Sequence, residues 1–513
     1  MKEKIIKAME ILQCPIEFII SILLMLNIRK SLVLAYNSEH VRYRTIFLIA
    51  VFSIILLIYL GYSIWKNKEK YEKIFLAVMI PIGIFYIMFV LPNTSYDEEE
   101  HMYRAYNVSK GNFIAETTEV GIAKTSIPQK IVINNRIDLI NSYQKLEEKE
   151  TENTEYDNEI DVFNSAQGYS PTLYMVTATI FKIGRSMNLN FTKVLCIARI
   201  CNFIFFLILG YYSIKVIPFG KLLMFTYLFN PMLIYQATSV SADCIINSTI
   251  IFYIAYLIKL IKQKEQLTIK NKIIFGISTI LVSLAKYVYF PIVLISILLV
   301  LKKAKTTKKD KIFIIAICII GLIFALGWYV ISSRYVDIRG YIQEHGVNST
   351  EQIKYIITHP INYIFTIFNT LYQYGEKMFI EFLGYRLGPA EIFTSLPCLF
   401  LYAVLLLGAI IFEKHTEDFD KKERLVVFIN FAITFLLLLT GLYIIWSGVG
   451  TNLIEGLQGR YFIPIIILLL LCCIKKGKYI ECDFKKVNII YTILLTIVNI
   501  QAIVQIIQNA LIN

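Results

Sequence analysis

Nine consecutive residues, Tyr96-Asp97-Glu98-Glu99-Glu100-His101-Met102-Tyr103-Arg104, hold four acids, a histidine and an arginine. They follow closely on an apolar run at 74–91 that is long enough to cross a bilayer. Ionisable groups at the exit of a membrane helix usually line a cavity, pair with one another, or do chemistry. Asp97, His101 and Arg104 are spaced i, i+4, i+7, so a helix would put them on one face. One carboxylate among cations suits glycosyl transfer from a lipid phosphate. A single base removes the acceptor hydroxyl's proton, and the leaving phosphate, already stable as an anion, needs no strong acid. Glycoside hydrolysis, by contrast, usually needs two carboxylates. Asp97 is the expected base, with Glu98 beside it, and His101 and Arg104 orient it or contact phosphate. Asp97, Glu98 and Glu99 could also ligate Mg²⁺ or Mn²⁺. The plainer alternative is a solvated helix start, where acids favour the dipole.

Four further groups carry charge or hydroxyls next to apolar runs. Gly456-Leu457-Gln458-Gly459-Arg460-Tyr461-Phe462-Ile463-Pro464 offers Arg460 as a bidentate phosphate clamp with Tyr461 beside it. Its alternative is an interfacial anchor of snorkelling Arg and aromatic belt. In Ser239-Val240-Ser241-Ala242-Asp243, Asp243 and Ser241 could bind an acceptor hydroxyl, or the serines could simply cap a helix. Lys286 and Tyr289 fall at the tip of a short apolar hairpin, where a lysine wants an anionic partner such as a donor phosphate. Arg199, inside an apolar run, is a weaker case of the same kind. The acidic tract 147–161 reads as solvated surface.

The elements that must position these groups are membrane helices. The 513 residues are 57% hydrophobic, with mean hydropathy +0.60, whereas soluble domains average about 45–50% apolar. Spans are expected at 11–28, 45–65, 74–91, 193–215, 221–237, 239–262, 273–285, 290–301, 311–332, 396–413, 425–446, 460–474 and 487–509, about 13 in all. The net charge of +13 does not point to nucleic acid, because its positives sit mostly in loops, where they orient helices and meet headgroups. The Lys/Arg-rich loops 66–73, 262–272, 302–311, 414–424 and 475–486 can all face the cytoplasm, since an even number of spans separates each pair. That parity makes 171–187 a juxtamembrane helix rather than a span. It makes 273–301 a short hairpin and puts every charged group above on the external face. One loop disagrees: 29–44 carries Arg29, Lys30, Arg42 and Arg44 yet falls outside. The organisation expected is an N-terminal hairpin (1–73), a core with a large external loop 92–190 (74–332), a second external loop (333–395) and C-terminal helices (396–513). Within the second loop, apolar positions from 353 to 368 suit a helix lying at the membrane interface. The nine cysteines lie mostly in apolar runs and form no CxxC pair, so they do not read as a disulfide framework.

Asp97-Glu98, His101 and Tyr103-Arg104-Ala105-Tyr106 resemble the signature of a bacterial membrane-protein family catalogued as domain of unknown function 2142. Tyr169 to Tyr174, Ser239 to Asp243, Lys286 to Pro291 and Gln458 to Phe462 resemble it too, in the same order, over roughly 74–475. Tyr96 and Met102 depart from that pattern without removing a chemical group. The resemblance implies an all-α polytopic bundle of GT-C glycosyltransferase type. It further implies a polyprenyl-phosphate-linked sugar as donor, inversion at the anomeric carbon and Asp97 as base. The expected partners are that donor, an envelope glycan acceptor and the lipid bilayer, with no nucleic acid, at the plasma membrane. The rivals are a transporter or flippase of lipid-linked envelope precursors, an envelope polysaccharide polymerase or ligase, and a non-catalytic assembly protein.

Overall fold

The computed structural model describes all residues except 1, 38–39, 68–69, 120, 130–141, 151–155, 157, 302–305, 336–343, 389–391 and 513. Part of the acidic tract 147–161 lies outside the described residues. The fold is an all-α polytopic bundle. Among the described residues, eight helices are long and apolar enough to cross a membrane: Cys14–Ala35, Tyr43–Lys66, Tyr71–Phe89, Phe191–Val216, Ala242–Lys262, Lys308–Ser332, Lys421–Trp446 and Phe484–Ala510. Two of them, Tyr71–Phe89 and Ala242–Lys262, are mostly apolar and mostly buried, as central helices must be. Helix Phe191–Val216 packs against both. At Gly83 a side chain would collide with the ring of Phe203, so glycine there permits the close approach. Tyr43–Lys66 and Lys308–Ser332 are peripheral and mostly exposed.

The other five expected spans are shorter or broken, for local reasons. Region 221–237 is two helices, Lys221–Leu228 and Pro231–Ala237. The residue before a proline is pushed out of helical geometry. Asn230 sits there as the cap, accepting from Leu233 N at 3.1 Å. Region 290–301 is split at Phe290-Pro291 and again before Ile297. Region 396–413 stops at Gly408, and 460–474 starts as a 3₁₀ turn, Gly459–Phe462, before Ile463–Cys473. Helix Ile269–Ala285 fills the first arm of the expected short hairpin.

The juxtamembrane segment is a 3₁₀ turn, Pro171–Tyr174, and a 12-residue helix, Met175–Ser186, too short to cross. The long loop also folds an antiparallel sheet in the order β1 (Glu116–Thr117), β2 (Ala123–Pro128), β3 (Glu159–Phe163), with Lys124 opposite Phe163. One of the four basic residues of the discordant 29–44 loop is paired. Buried Arg29 meets both carboxylate oxygens of Glu150 at 3.0–3.1 Å, which ties that end of the first hairpin to the long loop. Helices Ser349–Thr358 and Pro360–Leu383 break at His359 and leave Ile357, Ile361, Phe365 and Phe368 exposed, the outward apolar face an interfacial helix needs.

The ends of the helices differ. One end carries Asp97, Asp243, Lys286 and Arg460. The opposite ends of the same helices carry structural ion pairs such as Lys262–Glu423 (2.5 Å) and Lys272–Asp310 (2.6 Å).

Candidate active site

Asp97 precedes helix Glu98–Ser109 in a left-handed conformation, φ 56°, which Asp tolerates better than most residues. Its side chain does not cap that helix. It meets Arg460 instead, Oδ2 to Nη2 at 2.5 Å. The other arm of Arg460, Nη1, donates to Asp243 Oδ2 at 3.2 Å, and its Nε donates to Gln458 Oε1 at 2.6 Å. The Tyr96 ring lies 4.4 Å from the guanidinium carbon. Arg460 is 2% exposed and Asp97 is 55% exposed, so the cluster is a buried cation with one carboxylate at the surface. Asp243 also accepts from Gln236 Nε2 at 2.8 Å, and Gln236 is held by Asn247 at 3.0 Å. Asp97 and Asp243 each keep Oδ1 without a hydrogen-bond partner among the described residues.

Gly459 permits this placement. A Cβ there would lie 2.3 Å from Met378 O and from Phe382 N, and Gly459 N donates to Glu381 Oε2 at 3.0 Å. Arg460 is thus seated against helix Pro360–Leu383.

Lys286 follows helix Ile269–Ala285. Its Nζ lies 4.9 Å from the Tyr169 ring centroid and 5.1 Å from that of Tyr461. Among the described residues no carboxylate pairs with it. Tyr289 OH donates to Tyr461 O at 2.9 Å, tying the two segments together. Asp97, Asp243, Arg460 and Lys286 together carry no net charge, but both carboxylates contact Arg460, so Lys286 is the cation with no anion in direct contact among the described residues.

Of the sequence candidates, Asp97, Asp243, Arg460, Lys286, Tyr289, Tyr461 and His101 come together. His101 Nδ1 shares a 2.7 Å hydrogen bond with Tyr174 OH, and its ring meets that of Tyr169 edge-on. Burial, opposed by the charge of Asp97, pushes His101 down to about 4, so it is neutral at pH 7. For Asp97, burial raises the pKa, but Arg460, His101 and Lys286 outweigh it and hold the carboxyl below its ordinary range.

Four candidates are placed otherwise. Glu98 turns inward and pairs with Arg199, Nε at 2.8 Å and Nη2 at 2.5 Å. Its two oxygens also accept from Val240 N (2.9 Å) and Asn93 N (3.0 Å). Arg199 spends two further donors on Val90 O and Leu91 O, so it is paired rather than free for a donor phosphate. Arg104 binds the carbonyls of Asn112, Phe113 and Tyr169 and the Gln167 side chain, pinning the loop that carries Tyr169 instead of facing Asp97. Ser241 caps helix Ala242–Lys262 by accepting from Asp243 N at 3.1 Å. With Glu98 saturated, Asp97 and Glu98 do not form a metal pocket. Among the described residues, no three His, Cys, Asp or Glu side chains converge to hold an ion. Gln236 and Glu381 were not singled out by sequence, their only signal being polarity beside apolar runs, and Tyr96 and Gln458 stood in the quoted motifs without a role.

These features define an integral, multi-pass, all-α membrane protein with a charged cluster at one end of its helices. The chain belongs to the family described as predicted membrane protein, DUF2142, whose model matches residues 80–469. No curated protein and no solved structure matches it.

Proposed function

We propose that this protein is a GT-C-type glycosyltransferase that moves a sugar from a polyprenyl-phosphate carrier to a cell-envelope glycan, at the external face of the plasma membrane. The observation that carries the reading is the division of charge. Arg460 holds Asp97 and Asp243, while Lys286 stands unpaired beside them.

Lys286 receives the donor phosphate, with Tyr289 and Tyr461 fixing the segments around it. The acceptor hydroxyl lies between Asp97 Oδ1 and Asp243 Oδ1. Asp97 takes its proton, the oxygen attacks the anomeric carbon from the face opposite the phosphate, and the carbon–phosphate-oxygen bond breaks. The electron pair leaves with the lipid phosphate, Lys286 neutralises it, and Asp97 returns the proton to solvent. The donor phosphate also competes with Asp97 for Arg460, which makes Asp97 a stronger base once the donor is bound. Glu98, Arg199 and Arg104 hold the scaffold.

The test is transfer from a panel of polyprenyl-phosphate sugars to envelope glycan extracts by purified protein. Transfer with inverted stereochemistry supports the reading. Movement of lipid-linked precursors across liposomes without any transfer would favour a flippase, which interrupted helices also suit.

A further inference from the structure

Lys286 stands at the head of an apolar stripe. The chain after it forms three short pieces: a 3₁₀ turn, Tyr287–Tyr289, then Pro291–Leu294 and Ile297–Leu301. Tyr287, Leu294, Ile297 and Leu301 are exposed, and most residues between them are buried. Their spacing of seven, three and four is that of a single helical stripe. The stripe runs between two long helices. On one side, Tyr287 meets Tyr329 of helix Lys308–Ser332 at 5.1 Å, and Ser296 Oγ lies 3.2 Å from Cys318 Sγ. On the other, Val288 packs over Gly441 of helix Lys421–Trp446.

We propose that this seam seats the single apolar tail of a lipid whose phosphate stands on Lys286. The inference deepens the transferase reading and rests on it for the headgroup. Charge complementarity selects the occupant. The Lys286 ammonium lies over two tyrosine rings, and among the described residues no carboxylate forms an ion pair with it. An anionic headgroup therefore gains a cation there that an uncharged lipid does not. The stripe is one side chain wide, which matches one tail. From Tyr287 to Leu301 it runs roughly 20 Å at helical rise, most of the way across a ~30 Å hydrocarbon layer.

The test uses full-length protein in nanodiscs with polyprenyl phosphate carrying a diazirine on its tail. Irradiation and mass spectrometry then map the labelled residues. Label should concentrate on Tyr287–Leu301 and the adjoining face of Lys308–Ser332. Lys286→Gln and Leu294→Trp should each lower it at least fivefold. Ile54→Trp, on the exposed helix Tyr43–Lys66, should leave it unchanged. Label spread evenly over the lipid-facing helices, or insensitive to both variants, overturns the proposal. Seam labelling without sugar transfer supports the seam and overturns the transferase reading. Transfer with label elsewhere does the reverse.

Discussion

Arg199 donates to both carboxylate oxygens of Glu98, at 2.8 and 2.5 Å, in the interior between helix Phe191–Val216 and the start of helix Glu98–Ser109. Through its contacts to Asn93 N and Val240 N, the same carboxylate ties the segment that carries Asp97 to the one that carries Asp243. The pair is therefore a positioning device one residue from the proposed base.

Removing one partner leaves the other charge buried and unpaired, which costs about 3–5 kcal/mol. Arg199→Gln and Glu98→Gln should each lower thermal stability in detergent sharply. The double variant Glu98→Gln/Arg199→Met should recover part of the loss. Two single variants as stable as wild type would show that the pair does not hold the segments.

Arg460 sets the ionisation of Asp97. With its folded pKa below the ordinary 3.8, Asp97 contributes stability that is present above that value and lost as pH falls through the folded pKa. The acid limb of the wild-type kcat/KM profile, which reports the free enzyme, should lie below the ordinary carboxylate range. In Arg460→Gln the acid limb of the pH–rate profile should move upward. An unmoved limb would separate Arg460 from the base.

His101 shifts stability in the same direction, over a higher pH window. Its pKa falls from 6.5 to about 4 through burial, so the unfolded chain takes up a proton that the folded one refuses. Stability should therefore decline as pH drops from about 6.5 to 4. Comparing wild type with His101→Gln by thermal melting across that window isolates the effect, since the variant should lack this component of the slope. Identical slopes would contradict a neutral, buried His101.

Lys286 should govern donor affinity. Lys286→Gln should weaken binding of polyprenyl phosphate at least tenfold, measured in nanodiscs, and Arg199→Lys should not. Equal affinity in wild type and Lys286→Gln would move the phosphate elsewhere.

The charged residues of the site were legible because charges beside long apolar runs are few and costly. Asp97, Asp243, Lys286 and Arg460 lie far apart in the chain, and helix ends bring them together. Their allegiances were not legible. Arg199 and Glu98 are 101 positions apart, and neighbouring acids look alike until backbone geometry separates them. The left-handed Asp97 faces Arg460, while Glu98, the next residue, faces the interior. Hydropathy does not register a break such as Asn230-Pro231 or Phe290-Pro291, so the interruptions of these runs were not legible. Gln236, which orients Asp243, carries no charge to draw notice.

The most direct test of the central claim compares wild type with Asp97→Asn in liposomes, each given the polyprenyl-phosphate sugar and acceptor that wild type uses. Loss of a general base typically costs about 10²–10⁴ in rate. The account predicts a fall in transfer of that size with donor binding unchanged. Transfer by Asp97→Asn at the wild-type rate would contradict it.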